Sequence, residues 1–597
     1  MSKYKIKTNW DLSADFYKDL NDPQFSEDII TIKADVNNFV KTYKGKINTL
    51  EATDFLKYFE LDDKTDYLIN KVGSFLFYLA SLDTQDQKVL AKQSEFDNLM
   101  IDLSNQTLFV SQEFKQIGYQ KLIQLSKEPS LAAYSNFFVK QANSIKYVLD
   151  EKTEYALNLK SNSGSSAFEN MYEEFTNSFS FEVTIDNKRQ KLTSDQVRSL
   201  RMSSNESKRK KAFKSYHKVY SQKQNQIILG NCYSAIVKNW VSEVSLRGFD
   251  SVLSKRNIVQ QIPDTAISTL LNEVEKAYPI YQKYLEIKAK LMGKKQLEDW
   301  NLLAPLEKVT KQINFEEGLE LYLKQIRNFD EEFYQYSKSA FEQGRVDVFP
   351  KAGKRGGAFC VYDAQFPSFV LLNYTDKLND VSTLAHEFGH SIHSYFSLKQ
   401  KPQVYYSGTS MAETASIFNE TLLNNYLAQT LTEKEKLAFL DNQLSDIFAT
   451  IFRQIQYTLF EKKVHEFHLS GKSLTYIDYN RLWRQEQEKL TGDVVRYSNP
   501  AEAASGWSSI PHIFASPFYC YSYAFGNILS FALYEKYQEV GQDFVDSYKN
   551  ILSSGGSKPP YELLLEYNLD ITKAHFYQKG LKVVKDLVDS FARLAEK

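Results

Sequence analysis

Two histidines and a glutamate in Thr383-Leu384-Ala385-His386-Glu387-Phe388-Gly389-His390 stand at a spacing with a direct chemical use. His386 and His390 are i and i+4, so on a helix both imidazoles leave one face about a turn apart and can grip one small cation. Glu387 projects beside them, placed to take a proton from a water held at that cation. The pattern is His-Glu-x-x-His. Five residues with three fixed types also recur by chance, so the surroundings decide what it means. The chain has only 8 histidines, and two of them flank this glutamate.

A histidine pair needs a third protein ligand and one open position to make a catalytic zinc site, because zinc prefers about four ligands in a tetrahedron. The nearest cysteine, Cys360, lies upstream on a predicted strand. Glu413 and Glu420, in the run Met411-Ala412-Glu413-Thr414-Ala415-Ser416-Ile417-Phe418-Asn419-Glu420, are better placed. Ser407-Gly408-Thr409-Ser410 supplies a turn and a cap, which puts Glu413 in the first turn of a second helix. The chain between His390 and Glu413 is long enough for one helix to end, a loop to form and the carboxylate to return, so Glu413 is the expected third ligand. Glu420, two turns on, is expected to support the shell or the fold. His393, three residues past His390, would crowd the same helix as a ligand. His465 and His468 have no carboxylate comparable to Glu387 beside them and read as surface or packing residues.

A second group of polar side chains lies in Ser509-Ile510-Pro511-His512-Ile513-Phe514-Ala515-Ser516-Pro517-Phe518-Tyr519-Cys520-Tyr521-Ser522-Tyr523. His512, Tyr519, Tyr521 and Tyr523 are candidate donors to the oxyanion that forms when a carbonyl is attacked. On a helix Tyr519 and Tyr523 share a face and Tyr521 points elsewhere. With 39 tyrosines in the chain, an aromatic run alone means little. His512 is the more telling residue.

The elements that must hold these groups are mostly helical. Asn379 or Asp380 can cap a helix beginning around Val381 that carries the histidines. Just before it, Val346 to Tyr374 holds apolar and aromatic runs separated by turn residues, which predict a small sheet whose edge could pair with an extended peptide. From residue 10 to 150, apolar residues such as Leu68, Val72, Phe75, Leu76 and Leu79 recur at helical spacing. Strict alternation in Phe179 to Ile185 before Asp186-Asn187 predicts a hairpin, and Thr193 with Gln196 forms a possible capping box. Lys208-Arg209-Lys210-Lys211 reads as a solvated helix face. The fold class is mainly α with small strand-bearing inserts. The expected divisions are a helical N-terminal lobe over 1–195, a catalytic domain over 196–585 and a C-terminal helix end over 586–597.

The chain has 597 residues, with 73 basic and 74 acidic side chains. A balance this close to neutral argues against a dedicated nucleic-acid binder. Cys232, Cys360 and Cys520 are too scattered for a disulfide frame and fit reduced thiols in a cytoplasm. The basic start Met1 to Lys7 leads into Thr8-Asn9-Trp10-Asp11, which lacks the apolar core of a signal peptide. No run of 18 uncharged apolar residues marks a membrane span.

Leu384-Ala385-His386-Glu387-Phe388-Gly389-His390-Ser391-Ile392-His393, Ala412-Glu413-Thr414-Ala415-Ser416 and the run from His512 to Gly526 together resemble the thimet oligopeptidase and oligoendopeptidase F family of zinc metallopeptidases, most closely its oligoendopeptidase F branch. The resemblance covers nearly the whole chain. It implies a zincin-type fold with a deep substrate channel between two largely helical lobes and a small β-sheet beside the active-site helix. It implies one zinc ion per chain held by His386, His390 and Glu413, with Glu387 as general base. His512 matches the family's substrate-binding histidine, and a tyrosine shortly after it serves the oxyanion. Ser516-Pro517 stands where the thimet branch has a glycine-rich loop, which leaves the choice of tyrosine open; Tyr519 is the first candidate, with Tyr521 and Tyr523 behind it. Gly356-Gly357-Ala358-Phe359 resembles the substrate-edge strand, which makes Gly357 and Ala358 substrate-binding candidates. The leading reading is endopeptidase cleavage of short peptides, with the chain expected to be cytoplasmic and monomeric. The alternatives are a carboxypeptidase or dipeptidyl carboxypeptidase on the same fold, or a catalytically silent peptide-binding protein.

Overall fold

Helices dominate the chain, with short strands gathered into three small sheets among the described residues. The computed structural model describes residues 6–306 and 311–597. Most of the basic start, Met1–Lys5, lies outside them. None of the described helices is long and apolar enough to cross a membrane. The chain forms two compact units, each assembled from three stretches: Met1–Val148, Lys311–Leu427 and Lys536–Leu569 in one, and Leu149–Thr310, Ala428–Glu535 and Asp570–Lys597 in the other.

In the first unit, helices Pro23–Tyr43 and Ala52–Leu82 pack their apolar stripes together, as the helical spacing predicts. Phe55, Phe59 and Phe138 are fully buried in one aromatic core, where Phe59 stacks on Tyr134 with ring centroids 3.9 Å apart. A second core joins Trp10, Phe75 and Tyr78 to Phe369 and Leu371, which ties the helices to the small sheet. That sheet has Phe369–Leu371 at its centre, parallel to Val346–Asp347 and antiparallel to Phe359–Val361. Phe359–Val361 is therefore an edge strand. The loop leading to it is pinned by Lys354, whose buried Nζ pairs with Asp347 Oδ1 at 2.6 Å and donates to the Phe349 carbonyl at 2.8 Å.

The second unit contains the predicted hairpin. Phe181–Ile185 pairs antiparallel with Lys188–Leu192 across Asp186 and Asn187, both in the left-handed region with φ of 49° and 63°. That is the geometry of the tight turn whose twist matches paired strands. The Thr193 and Gln196 capping box is formed, and it starts helix Ser194–Leu200. The basic run departs from expectation at Arg209. Its side chain is 1% exposed, with Nε donating to the Trp300 carbonyl at 3.0 Å and Nη2 to Asn301 Oδ1 at 2.6 Å. A buried guanidinium needs such acceptors, so Arg209 is structural; of its lysine neighbours Lys211 is exposed, while Lys208 and Lys210 are half-buried.

His465 and His468 are packing residues, both buried on helix Arg453–Leu469. Burial drives His465 and His217 down from 6.5 to about 3. Unfolding releases both to titrate normally, so the unfolded chain binds more protons below pH 6.5. Their contribution to stability is complete above that pH and is lost as the pH falls toward 3. The melting temperature of this protein is expected to fall between pH 6.5 and 4.5, and replacing His465 with a neutral glutamine should flatten that slope.

Candidate active site

The histidines ride on helix Leu378–Ser397. It begins three residues before the predicted Val381. Asp380 acts inside the first turn instead of as the cap residue, accepting from the backbone amides of Thr375 at 2.6 Å and Lys377 at 3.1 Å. Leu384, Ala385, Phe388 and Ile392 form its buried stripe, with Phe388 stacked on Phe341 at 5.0 Å. His386 and His390 leave an adjoining, partly open face, with side chains 28% and 13% exposed.

Glu413 comes from the segment that crosses this helix. It occupies a one-residue break between helices Thr409–Ala412 and Thr414–Thr430, instead of the first turn of one continuous helix. Two contacts fix the crossing. Gly389 has no side chain, and a Cβ there would lie 2.3 Å from Ser416 Cα and 2.4 Å from the Ala415 carbonyl oxygen. Beside it, Asn419 Nδ2 donates to the Ala385 carbonyl oxygen at 2.6 Å. The Glu413 carboxylate thereby meets the histidines, with Oε2 3.5 Å from both His386 Nε2 and His390 Nε2. All three ligand atoms lie within 4.8 Å of one another.

This donor set fits a zinc ion. Ligands about 2.0–2.1 Å from a tetrahedral zinc stand roughly 3.4 Å apart. The three side chains are each partly exposed, so solvent reaches the cluster. His390 is held down to about 4 by burial, so its ring is neutral and ready to ligate. Burial opposes protonation of His386 too, but a 3.1 Å bond from Nδ1 to Glu420 Oε2 outweighs it and raises this histidine to about 9. Burial likewise opposes ionisation of Glu413, yet His390 and His386 hold it below its ordinary value, helped by Ser416 Oγ donating to Oε2 at 2.8 Å. A cation at Nε2 of His386 would displace one proton and leave Nδ1–H on Glu420. Glu420 is thus the orienting partner, itself held by Asn424 at 3.3 Å. Such partners tune metal affinity, so Glu420→Gln should weaken zinc binding by about 10–100-fold, measurable by competition with a chromophoric chelator.

Glu387 is buried, at 7% exposure, on the same helix. Burial raises it to about 7, offset in part by His386 and by the Cys360 backbone amide. His393, buried beside Ser394, stays outside the cluster. A cavity of about 370 Å³ opens there, lined by Tyr362, His393, Tyr405, Tyr406, Gly408 and Ala412 among others. Tyr362 and Tyr406 were not singled out by sequence reasoning. Their signal was the turn at Gly408, which carries the chain past the edge strand, and Tyr406 donates to the Tyr362 carbonyl at 3.1 Å. Gly357 is exposed and Ala358 half-buried just ahead of Phe359–Val361. Gly357 lies in a bend and Ala358 in the irregular link after it, so neither belongs to the strand, and the Gly357 carbonyl accepts from Asn373 at 2.7 Å.

In the second unit His512 lies on the short helix Pro511–Ala515. Its ring is parallel to that of Tyr519, with centroids 6.1 Å apart and planes 9° apart, and Tyr523 Oη is 3.5 Å from its Nε2. Burial, with Arg453 adding to it, lowers the His512 pKa and keeps the ring neutral. The turn before Tyr519 is held by Phe518 at φ 59°, whose amide donates to buried Glu461 at 3.0 Å. Tyr521 departs from its expected role. It is fully buried, and its hydroxyl donates to Asn257 Oδ1 at 2.6 Å. Tyr519 lies before helix Tyr521–Val540, and Tyr521 and Tyr523, two positions apart on that helix, point to different faces. His512, Tyr519 and Tyr523 form one half-exposed group, and Tyr521 belongs to the core.

A mainly helical fold carrying His-Glu-x-x-His and a glutamate that closes on it defines a metallopeptidase. The model for peptidase family M3 matches residues 199–583 and that for oligopeptidase F matches 113–181, and the chain belongs to peptidase family M3. It is 27% identical to an oligoendopeptidase F homolog of Lactococcus lactis subsp. lactis (strain IL1403), over 99% of this chain and 98% of that one. It is also 27% identical to the oligopeptidase PepF of Bacillus subtilis (strain 168), over 100% of this chain and 88% of that one. Among solved structures, one from Chlamydophila abortus matches with a TM-score of 0.86 at 23% identity over 100% of both chains. The oligoendopeptidase-F of Enterococcus faecium matches at 0.72 and 21% identity, covering 96% of this chain and 99% of that one. At these identities the structural matches speak to fold. The family places the chain among enzymes that hydrolyse oligopeptides.

Proposed function

We propose that this chain is a zinc-dependent endopeptidase that cuts internal bonds of short peptides. The observation that carries the reading is the convergence of His386, His390 and Glu413 on one point, with the buried carboxyl of Glu387 on the same helix. One zinc ion per chain, held by those three residues, would supply a Lewis acid that polarises the scissile carbonyl and acidifies a water. Glu387 takes the water's proton and passes it to the departing amine. Its burial keeps its proton affinity near neutrality, which suits a group that must both accept and donate. The edge strand Phe359–Val361, with Gly357 and Ala358 ahead of it, offers backbone groups to an extended peptide.

The family resemblance carries substrate binding to His512 and the oxyanion to Tyr519, with Tyr523 as the second donor. Tyr519→Phe should lower kcat by about 10²–10³-fold with little change in KM, as loss of an oxyanion donor does. An unchanged kcat would move the role to Tyr523. The chain is proposed to act as a cytoplasmic monomer. The endopeptidase and carboxypeptidase readings separate on peptides blocked at both ends. Mass spectrometry of an N-acetylated, C-amidated peptide of about ten residues should show internal cuts. A peptide cut only when its C-terminus is free would establish the carboxypeptidase instead.

A further inference from the structure

The second unit contains a cavity of about 150 Å³, and none of the metal-cluster residues lines it. Two arginines do: Arg201, just past helix Ser194–Leu200, and Arg453, at the start of helix Arg453–Leu469. The Nε of each is buried and without a hydrogen-bond partner, and neither guanidinium is ion-paired with a carboxylate among the described residues. They rest on aromatic faces instead. Arg201 Cζ lies 4.3 Å from the Tyr216 ring centroid, and Arg453 Cζ lies 6.0 Å from that of Phe448.

Two further donors around the cavity are unpartnered, Gln456 Nε2 and Trp483 Nε1, on side chains that are each 4% exposed. His217 is neutral, so the positive charge is that of the arginines. The cavity's one carboxylate, Asp299, is already engaged. Oδ1 accepts from the Trp300 amide at 3.1 Å, and Oδ2 accepts from the Ser498 amide and hydroxyl at 3.1 and 3.3 Å. Two arginines against one satisfied carboxylate leave a single net positive charge. Burying such charges unpaired is costly, so the cavity favours a guest that brings a negative charge and hydrogen-bond acceptors. Leu302, Leu303, Leu490 and Phe448 make the rest of its wall apolar.

We propose that this cavity binds a carboxylate monoanion carried on an apolar body, with Arg201 and Arg453 on the carboxylate and the aliphatic and aromatic wall on the remainder. The chemical class is an N-acylated apolar amino acid, or the C-terminal residue of a peptide. The site does not depend on the peptidase reading, because no residue assigned to metal or proton transfer belongs to it.

The test uses the full-length, zinc-loaded chain, titrated by calorimetry with N-acetyl-leucine, N-acetyl-leucinamide, inorganic phosphate and a tripeptide ending in leucine. N-acetyl-leucine should bind at least tenfold more tightly than its amide, and also more tightly than phosphate. Arg201→Met or Arg453→Met should erase the preference for the acid. The preference should survive removal of zinc by a chelator, which separates this site from the metal. Tripeptide binding as tight as that of N-acetyl-leucine assigns the site to peptide C-termini, and tenfold weaker binding assigns it to single residues. Equal binding of acid and amide would overturn the proposal, and that comparison needs no variant. Loss of the preference with zinc, phosphate binding as tight as that of the organic acid, or methionine variants that bind like the parent would each overturn it as well.

Discussion

Glu387→Gln should leave zinc content near one per chain while peptide turnover falls by about 10²–10⁴-fold, the usual worth of a general base. Glutamine keeps the volume and removes the group that accepts the proton. The variant also separates chemistry from stability. Burial raises Glu387 to about 7 in the metal-free chain, above its ordinary 4.5, so ionising it costs the folded state stability as the pH rises through that range. Glutamine has no such cost, and the metal-free variant should melt no lower than its parent at pH 8. Zinc analysis, a kcat measurement and a melting curve on one preparation check all three. Retained turnover would remove Glu387 from its role.

Gly389→Ala should do comparable damage without touching a chemical group. The added Cβ would meet backbone at 2.3–2.6 Å, at Ser416 Cα, the Ala415 carbonyl oxygen and Ser416 N. Backbone in a helix cannot swing aside like a side chain, so the two helices must separate. Overpacking of this kind costs about 1–3 kcal/mol. Glu413 lies just before the contact, so the cost also reaches the metal cluster. A displacement near 1 Å is enough to lower turnover by about 10²-fold. The matched control is Gly356→Ala, where nothing lies within 4 Å of the new Cβ and stability should change by less than about 0.5 kcal/mol. Equal behaviour of the two variants would show that the helix crossing does not set the site.

These contrasts mark where the sequence was legible. His386, Glu387 and His390 lie within one helical turn and a half, so spacing alone places them together. The hairpin and the Thr193 capping box are equally local and appear as read. Glu413 was identifiable as a returning carboxylate, but its position in a helix break was not, because that break answers to the neighbouring helix and not to its own sequence. The steric role of Gly389 depends on the backbone that faces it, at Ala415 and Ser416, which local spacing does not reveal. Tyr521 illustrates the opposite limit. Its alternation with Tyr519 and Tyr523 was visible, while its bond to Asn257 joins positions far apart in the chain. Arg209, Arg201 and Arg453 are similar cases, since charge in a sequence reads as surface until tertiary packing encloses it.

The most direct test of the zinc peptidase reading is a metal titration read by peptide cleavage. Chelator-stripped chain should be inactive on a blocked ten-residue peptide, and activity should rise in proportion to added zinc and level off at one equivalent per chain. His390→Ala and Glu413→Ala should fail to recover at the same zinc concentration. Full cleavage by the stripped chain, or recovery of those variants to the parent's level, would contradict it.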